Sequence, residues 1–372
     1  MSINKDNIFD DTRVNSSRRR LLAAGGVIAA ASLASAIPVQ AAKKNPPPME
    51  TQMFPKFYPL ADFQPEVSVA GKFIVITGAS RGIGRATGEA LLAAGASVIG
   101  TSRDAGAVVG SPFPLLDLDI TSPASIAAFV AALQAYGNYP GSIDALINNA
   151  GRFVFGTPTP IDPTLVDYFN SQVDLAMDTL YGGHVRVTNA LLGSMSAGGS
   201  IMFTTSVAAY GVGGTEIGEA LGQSFLSPYY SGKRALLAYA NNLRGFMRTA
   251  NTGIRVATVN PFAINTPLAE GTNPIALEPV DPVTGNSLIN PTLNLVLDGT
   301  RALLANGLPA SDVADTYVQL LQMNEPTPNV AVGSDQEPKA TQGANELLLA
   351  GALEENQESA ATLGCAPPGK SK

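Results

Sequence analysis

The run Thr77-Gly78-Ala79-Ser80-Arg81-Gly82-Ile83-Gly84 follows the apolar segment Phe73-Ile74-Val75-Ile76 directly. It opens a helical pattern, Arg85 to Ala94, that Gly95 closes. A strand, a glycine turn and a helix in that order form a dinucleotide-binding corner. Gly78 lets the chain leave the strand sharply. Gly82 and Gly84 remove side chains where a pyrophosphate approaches the backbone and where helix and strand pack closely. The helix start then offers unpaired N–H groups and the positive end of its dipole to phosphates.

Strand and helix patterns continue to alternate beyond this corner. Ser97–Thr101 and Leu115–Leu118 read as strands, and a helix starts at Pro123 with Ser122 as its N-cap. Next come Ala145–Ile147, a long helical region around Thr164–Ser196, and Ser200–Thr205. A helix from about Tyr229 to Ala250 and strands at Arg255–Asn260 and Asn329–Val332 follow. This alternation predicts an α/β fold: a single doubly wound Rossmann-type domain, with a mostly parallel sheet and helices on both faces. Ligands then bind at the C-terminal strand ends, where Gly78, Asn148, Ser206 and Pro261 fall. The domain is expected over 70–335. Residues 43–69 read as an extended Pro-rich linker whose Phe54, Phe57, Tyr58 and Phe63 are available to pack on the domain surface. Residues 336–372 read as a C-terminal extension with one helix, Asn345–Glu355, and a polar tail. The long segments Ser206–Tyr229 and Leu268–Gly307 imply a deep or lidded pocket.

Composition removes several function classes. The net charge of -7 leaves no basic stripe to neutralise phosphates, so no nucleic-acid partner is expected. The one cysteine, Cys365, makes neither an intramolecular disulfide nor a zinc site. The one histidine, His184, sits in a helical stretch and reads as a packed or surface residue. Serine–histidine hydrolysis and histidine-based metal chemistry are therefore poor candidates, and no metal is expected.

The N-terminus has the order of a targeting segment. Arg18-Arg19-Arg20-Leu21-Leu22 precedes a weakly apolar stretch, Ala23 to Ile37, and small residues end at Val39-Gln40-Ala41-Ala42. This resembles a twin-arginine signal peptide over residues 1–42, which implies the twin-arginine export machinery as a partner and a periplasmic location. Such signals carry folded cargo, so a cofactor made in the cytoplasm can be bound before export.

Further motifs follow in order: Asn148-Asn149-Ala150-Gly151, then Ser206, then Tyr229-Tyr230-Ser231-Gly232-Lys233, then Asn260-Pro261 through Thr266. Together with the glycine corner they resemble the short-chain dehydrogenase/reductase family. That resemblance implies an NAD(P)-dependent oxidoreductase interconverting a small-molecule carbonyl and a secondary alcohol. Tyr229 is then the general acid/base, Lys233 its partner and a ligand of the nicotinamide ribose, and Ser206 the hydrogen-bond donor to the substrate oxygen. Free phenol ionises near pH ~10, and an ammonium about 4 Å away at an effective dielectric near ~20 contributes roughly 4 kcal/mol. Lys233, four residues on and on the same helical face, is thus expected to draw Tyr229 toward working range.

The cofactor residues implied are Gly78, Ser80, Arg81, Gly82, Ile83 and Gly84 of the turn, and Asn149, Ala150 and Gly151 of the second motif. Asp119 and Ile120 match the adenine-contacting pair, and Pro261, Ile264 and Thr266 form the nicotinamide loop. At the end of the second strand Ser102 stands where NAD enzymes carry an acid, and Arg103 follows. With Arg81 it favours the 2′-phosphate of NADP over NAD. Two departures stand out. Leu180 occupies the position of a proton-relay asparagine, and Phe262 replaces a glycine. They leave open a same-fold epimerase or dehydratase, or a cofactor-binding module with impaired catalysis. The resemblance also implies a homo-oligomer built on the two long helices, with Gly182, Gly183, Ala235 and Ala240 permitting close approach.

Overall fold

The structure, a computed structural model, describes residues 56–155, 166–210, 226–268, 300–302 and 304–333. The signal segment, the first part of the linker, most of both long loops and the C-terminal extension lie outside the described residues. All described residues belong to one compact unit.

The alternation along β2 (Phe73–Ile76) explains the layers. All four residues are buried, and successive side chains point to opposite faces. Ile74 and Ile76 pack with Leu91 of α1 (Gly82–Ala93) and with Val313 and Tyr317 of α6 (Ala310–Leu321). Phe73 and Val75 pack with Ile126, Phe129 and Leu133 of α2 (Pro123–Gln134) and with Val187 and Leu191 of α4 (Gly183–Leu191). Burying each such side chain contributes roughly 1.5–3 kcal/mol. A strand apolar on both faces therefore sits between two helical layers.

The other strands are β3 (Ser97–Ser102), β4 (Leu115–Asp117), β5 (Ile143–Asn148), β6 (Met195–Thr204), β7 (Arg255–Pro261) and β10 (Asn329–Val332). They line up as β4-β3-β2-β5-β6-β7-β10, and every pairing among them is parallel. The order reverses between β2 and β5, so the C-terminal ends of β2, β5, β6 and β7 are consecutive neighbours. Two short strands, β8 (Ile264–Asn265) and β9 (Leu308–Pro309), form a separate parallel pair beside this edge. Ser122 caps α2, its side chain accepting from Ser125 N at 3.2 Å, as its sequence position predicts.

Two features go beyond the sequence reading, and both have physical causes. Residues 56–69 pack on the domain, and more closely than an extended segment with surface aromatics implies. Lys56–Phe57 forms β1, an eighth parallel strand on β10. Tyr58 is buried, with its hydroxyl 2.9 Å from Thr327 Oγ1. Leu60 exchanges two hydrogen bonds with the Gln319 side chain, at 2.8 and 3.0 Å. Glu66 accepts from Asn324 N at 2.7 Å. Proline-rich composition hides these contacts because their partners lie at the far end of the chain.

The long helical region runs on as expected, with one π turn in its course. Its described part is α3 (Val166–Met177), a π turn at Asp178–Gly182, then α4. Asp178 and Arg186 form an ion pair beside that turn.

Finally, two of the small residues expected at an oligomer face are used inside the protomer. A Cβ on Gly183 would lie 2.7 Å from Ile120 Cγ1. Ala240 is buried with Ile201 and Phe203 beneath α5 (Ser227–Thr249).

Candidate active site

The glycine turn leaves β2 and meets the segment after β5. Gly78 has φ +67°, and a Cβ there would sit 2.7 Å from Ala150 Cα. Gly84 is buried, and its Cβ would fall 2.3 Å from Gly78 O. Gly84 thus serves the contact of helix and turn rather than a ligand surface. Asn149 locks the assembly: its amide donates to Thr77 O at 3.1 Å and Gly78 O at 3.0 Å. Thr77 Oγ1 accepts in return from Asn149 N at 2.9 Å and Ala150 N at 3.0 Å. Among the described residues the start of α1 is uncapped: its N-cap, Arg81, makes no side-chain cap and no acid stands in the first turn. Ser80 is half-buried, Arg81 is exposed, and Ile83 packs toward the core.

Arg103 follows β3 and is exposed, with Ser102 half-buried before it. The cation within electrostatic reach of Arg103 is Arg152, next after Gly151 and half-buried; burial first, then the Arg103 charge, lower its pKa. Arg152 carries no motif of its own, so the sequence reading missed it. Asp119 sits below the usual carboxylate range. Burial pushes it up, but hydrogen bonds from the Thr121 side chain and backbone and the Arg103 charge more than offset this. Its Oδ1 is held by Thr121 N at 2.9 Å and Thr121 Oγ1 at 2.7 Å. The side chains of Ile120 and Ile264 belong to the hydrophobic core, so only their backbone is available to a ligand. Thr266 lies against the glycine turn, 3.4 Å from where a Gly82 Cβ would stand.

Ser206, Tyr229 and Lys233 come together beyond the ends of β6 and β7. All three are buried. The Tyr229 hydroxyl faces Ser206. Ser206 Oγ also lies 3.3 Å from Pro261 O and accepts from Ala208 N at 3.2 Å. Lys233 Nζ donates to Thr204 O at 2.8 Å and stands 5.9 Å from the Tyr229 ring centre. Phe153, another residue without a motif, stacks on Tyr229 with centroids 4.6 Å apart and rings inclined by 13°. Leu180, at the π turn, is fully buried in the same apolar cluster.

This wall sets the electrostatics. Burial pushes the Tyr229 phenol up to about 12, and the Ser206 hydroxyl does not offset it. Burial holds Lys233 down to about 7. Burial therefore outweighs the lowering of Tyr229 expected from Lys233. The dryness that would strengthen their attraction also drains the lysine of charge. The phenol stays protonated at neutral pH, the state a proton donor to a carbonyl requires. His184 is fully buried. Burial, then the Lys233 charge, lowers it to about 3, with the Ala150 backbone opposing least. Neither of its ring nitrogens makes a hydrogen bond of full geometry.

Comparison with known proteins gives this geometry a family. A family profile described as short chain dehydrogenase matches residues 72–275. The chain is 30% identical over 208 residues to 3-oxoacyl-[acyl-carrier-protein] reductase FabG of Salmonella typhimurium, covering 54% of this chain and 76% of that protein. It superposes on a short-chain dehydrogenase from Streptomyces avermitilis with a TM-score of 0.59 and 25% identity, covering 79% of this chain and 99% of the other. A short chain dehydrogenase/reductase from Burkholderia phymatum in complex with NAD shares the fold, with TM-score 0.57 and 18% identity over 82% of this chain and 99% of that one. With the family profile spanning more than half its length, the chain belongs to the short-chain dehydrogenase family of oxidoreductases.

Proposed function

We propose that the protein reduces a carbonyl, or oxidises the matching secondary alcohol, with a nicotinamide cofactor and Tyr229 as general acid/base. The observation that carries this reading is the meeting of Ser206, Tyr229 and Lys233 at strand ends adjoining the glycine turn. The uncapped start of α1 suits a pyrophosphate, and Asn149 to Gly151 and Thr266 flank it. A nicotinamide bound there supplies or accepts the hydride. Ser206 orients the substrate oxygen, and Tyr229 delivers the proton to it. Lys233, half-charged at neutral pH, stands beside the phenol, and Phe153 keeps the phenol dry.

Arg103, with Arg81 in the turn and Arg152 close to Arg103, supports NADP over NAD. Charge-assisted hydrogen bonds contribute roughly 1.5–3 kcal/mol each, enough for more than tenfold preference. The test is a panel of ketones with NADPH and NADH, with binding followed by nicotinamide fluorescence. Tyr229→Phe should cost about 10²–10⁴-fold in turnover and leave cofactor affinity unchanged. Near-normal turnover in that variant, or equal NADPH and NADH affinities before and after Arg103→Ala, would remove the acid and the cofactor assignments respectively.

The twin-arginine segment carries the proposal of export to the periplasm. Arg18→Lys with Arg19→Lys should hold the precursor in the cytoplasm, as fractionation would show. Val173 of α3 is 42% exposed and Phe246 of α5 is 63% exposed, and these faces support a homo-oligomer. Light scattering that gives one species at the monomer mass across a wide concentration range would overturn it.

A further inference from the structure

Thr204 stands where the two halves of the site join. Its carbonyl receives the Lys233 ammonium at 2.8 Å. Its hydroxyl donates to Asn149 Oδ1 at 3.1 Å and lies 2.6 Å from the Tyr317 hydroxyl. A threonine hydroxyl has one proton, and Asn149 takes it, so Tyr317 is the donor in the second contact. Burial raises the Tyr317 phenol further above its ordinary range than the Thr204 hydrogen bond lowers it, so it stays a donor. The chain of donors runs from Tyr317 through Thr204 to Asn149, and from the Asn149 amide to the backbone of the glycine turn. Tyr317 and Thr204 are both buried, and the Tyr317 ring packs in the core among apolar side chains from β2, β7 and β10.

We propose that Tyr317 and the Thr204 hydroxyl are positioning residues for Lys233, fixing the carbonyl that holds its ammonium and tying it to the Asn149 cradle. The inference rests on the reading of Lys233 as part of the catalytic group. Such a linked network transmits the placement of α6 to the lysine, because each member is held by the next. The ionisable groups facing Lys233 are Tyr229 on its own helix and His184 on α4. Among the described residues neither makes a hydrogen bond or ring contact with Tyr317, so a change at Tyr317 reaches Lys233 through Thr204.

The experiment is Tyr317→Phe in the full chain, which keeps the ring in the core and removes one donor. The Lys233 midpoint is read in the ligand-free protein by NMR of ¹³Cε-labelled lysine. Loosening the Thr204 carbonyl deprives the ammonium of its acceptor, so the midpoint should fall by about 0.4–1 pH unit, and kcat on the best ketone by about three- to tenfold with KM unchanged. Thr204→Ser, which keeps the hydroxyl, should retain the parent midpoint. An unmoved midpoint in Tyr317→Phe overturns the proposal, with or without a loss of kcat. The NMR readout needs no turnover, so it stands apart from the Tyr229→Phe test of the function itself.

Discussion

Asn148 and Asn149 are consecutive residues at the end of one strand, and they meet opposite treatment. Asn149 points into the glycine-turn side, where its oxygen and both amide bonds find partners in Thr204, Thr77 and Gly78. Asn148 serves the α4 side. Its amide reaches Thr188 Oγ1 at 3.1 Å, but its oxygen is buried without a partner, and neither nitrogen of His184, one turn before Thr188, makes a hydrogen bond of full geometry. Unpaired polar groups in a dry interior are costly, whereas a fully connected network is rigid. The turn side is therefore built to hold one shape. The α4 side, with the half-charged Lys233 beside it, is built to respond to protons and to what binds.

The largest effect should come from breaking the satisfied side. Thr77→Val keeps shape but leaves Asn149 N and Ala150 N without an acceptor, at about 1–3 kcal/mol each. Urea denaturation should show the loss, together with weaker cofactor binding. A loss under about 1 kcal/mol would mean that water already serves this turn and that the contrast is false.

An intermediate effect belongs to Lys233, and it depends on pH. Its folded pKa, held down to about 7, lies below its unfolded value. The unfolded chain therefore binds more protons from pH ~7 to ~10.5, and stability rises with pH across that window. The burial penalty is full below pH ~7 and gone above ~10.5. Lys233→Met should be more stable than the parent at pH ~6 by an amount that shrinks toward pH ~10, measured by denaturation at several pH values. A difference independent of pH would place the lysine in water.

The smallest effect should come from the unsatisfied side. His184→Leu removes two nitrogens that lack a hydrogen bond of full geometry and should change stability at neutral pH by no more than about 1 kcal/mol. Its folded pKa, about 3, lies below its unfolded value, so the parent loses stability as pH falls from ~6.5 toward ~3, and the variant should lose less. Acid titration of both proteins by circular dichroism checks this. A loss above about 2 kcal/mol at pH ~7 would show that the imidazole is hydrogen-bonded through ordered water.

How much of this was legible in the chain follows from the range of each interaction. The β2–α1 corner, the Ser122 cap and the strand at Asn329–Val332 are local patterns, and the fold repeats them where the residues place them. The motif residues Gly78, Asn149, Ser206, Tyr229 and Lys233 were legible through the spacing that resembles a known family, and the fold sets them at strand and helix ends. Arg152, Phe153, Thr204 and Tyr317 were not, since nothing in their own neighbourhoods marks them. Their roles come from partners brought close by the parallel crossovers. The pairing of residues 56–57 with β10 is hidden for the same reason.

The sequence by itself determined the order of strands and helices, hence the doubly wound sheet and the edge at which its motifs gather. Backbone conformation and side-chain alternation depend on residues a few positions apart, so they can be read along the chain. Only the tertiary structure decided the protonation of the site. Tyr229 and Lys233 stand four residues apart in any helix, but whether lysine charge lowers the phenol or burial raises it depends on Phe153, Leu180 and the strands around them. Desolvation is a property of the whole packed neighbourhood, and no spacing within one helix encodes it.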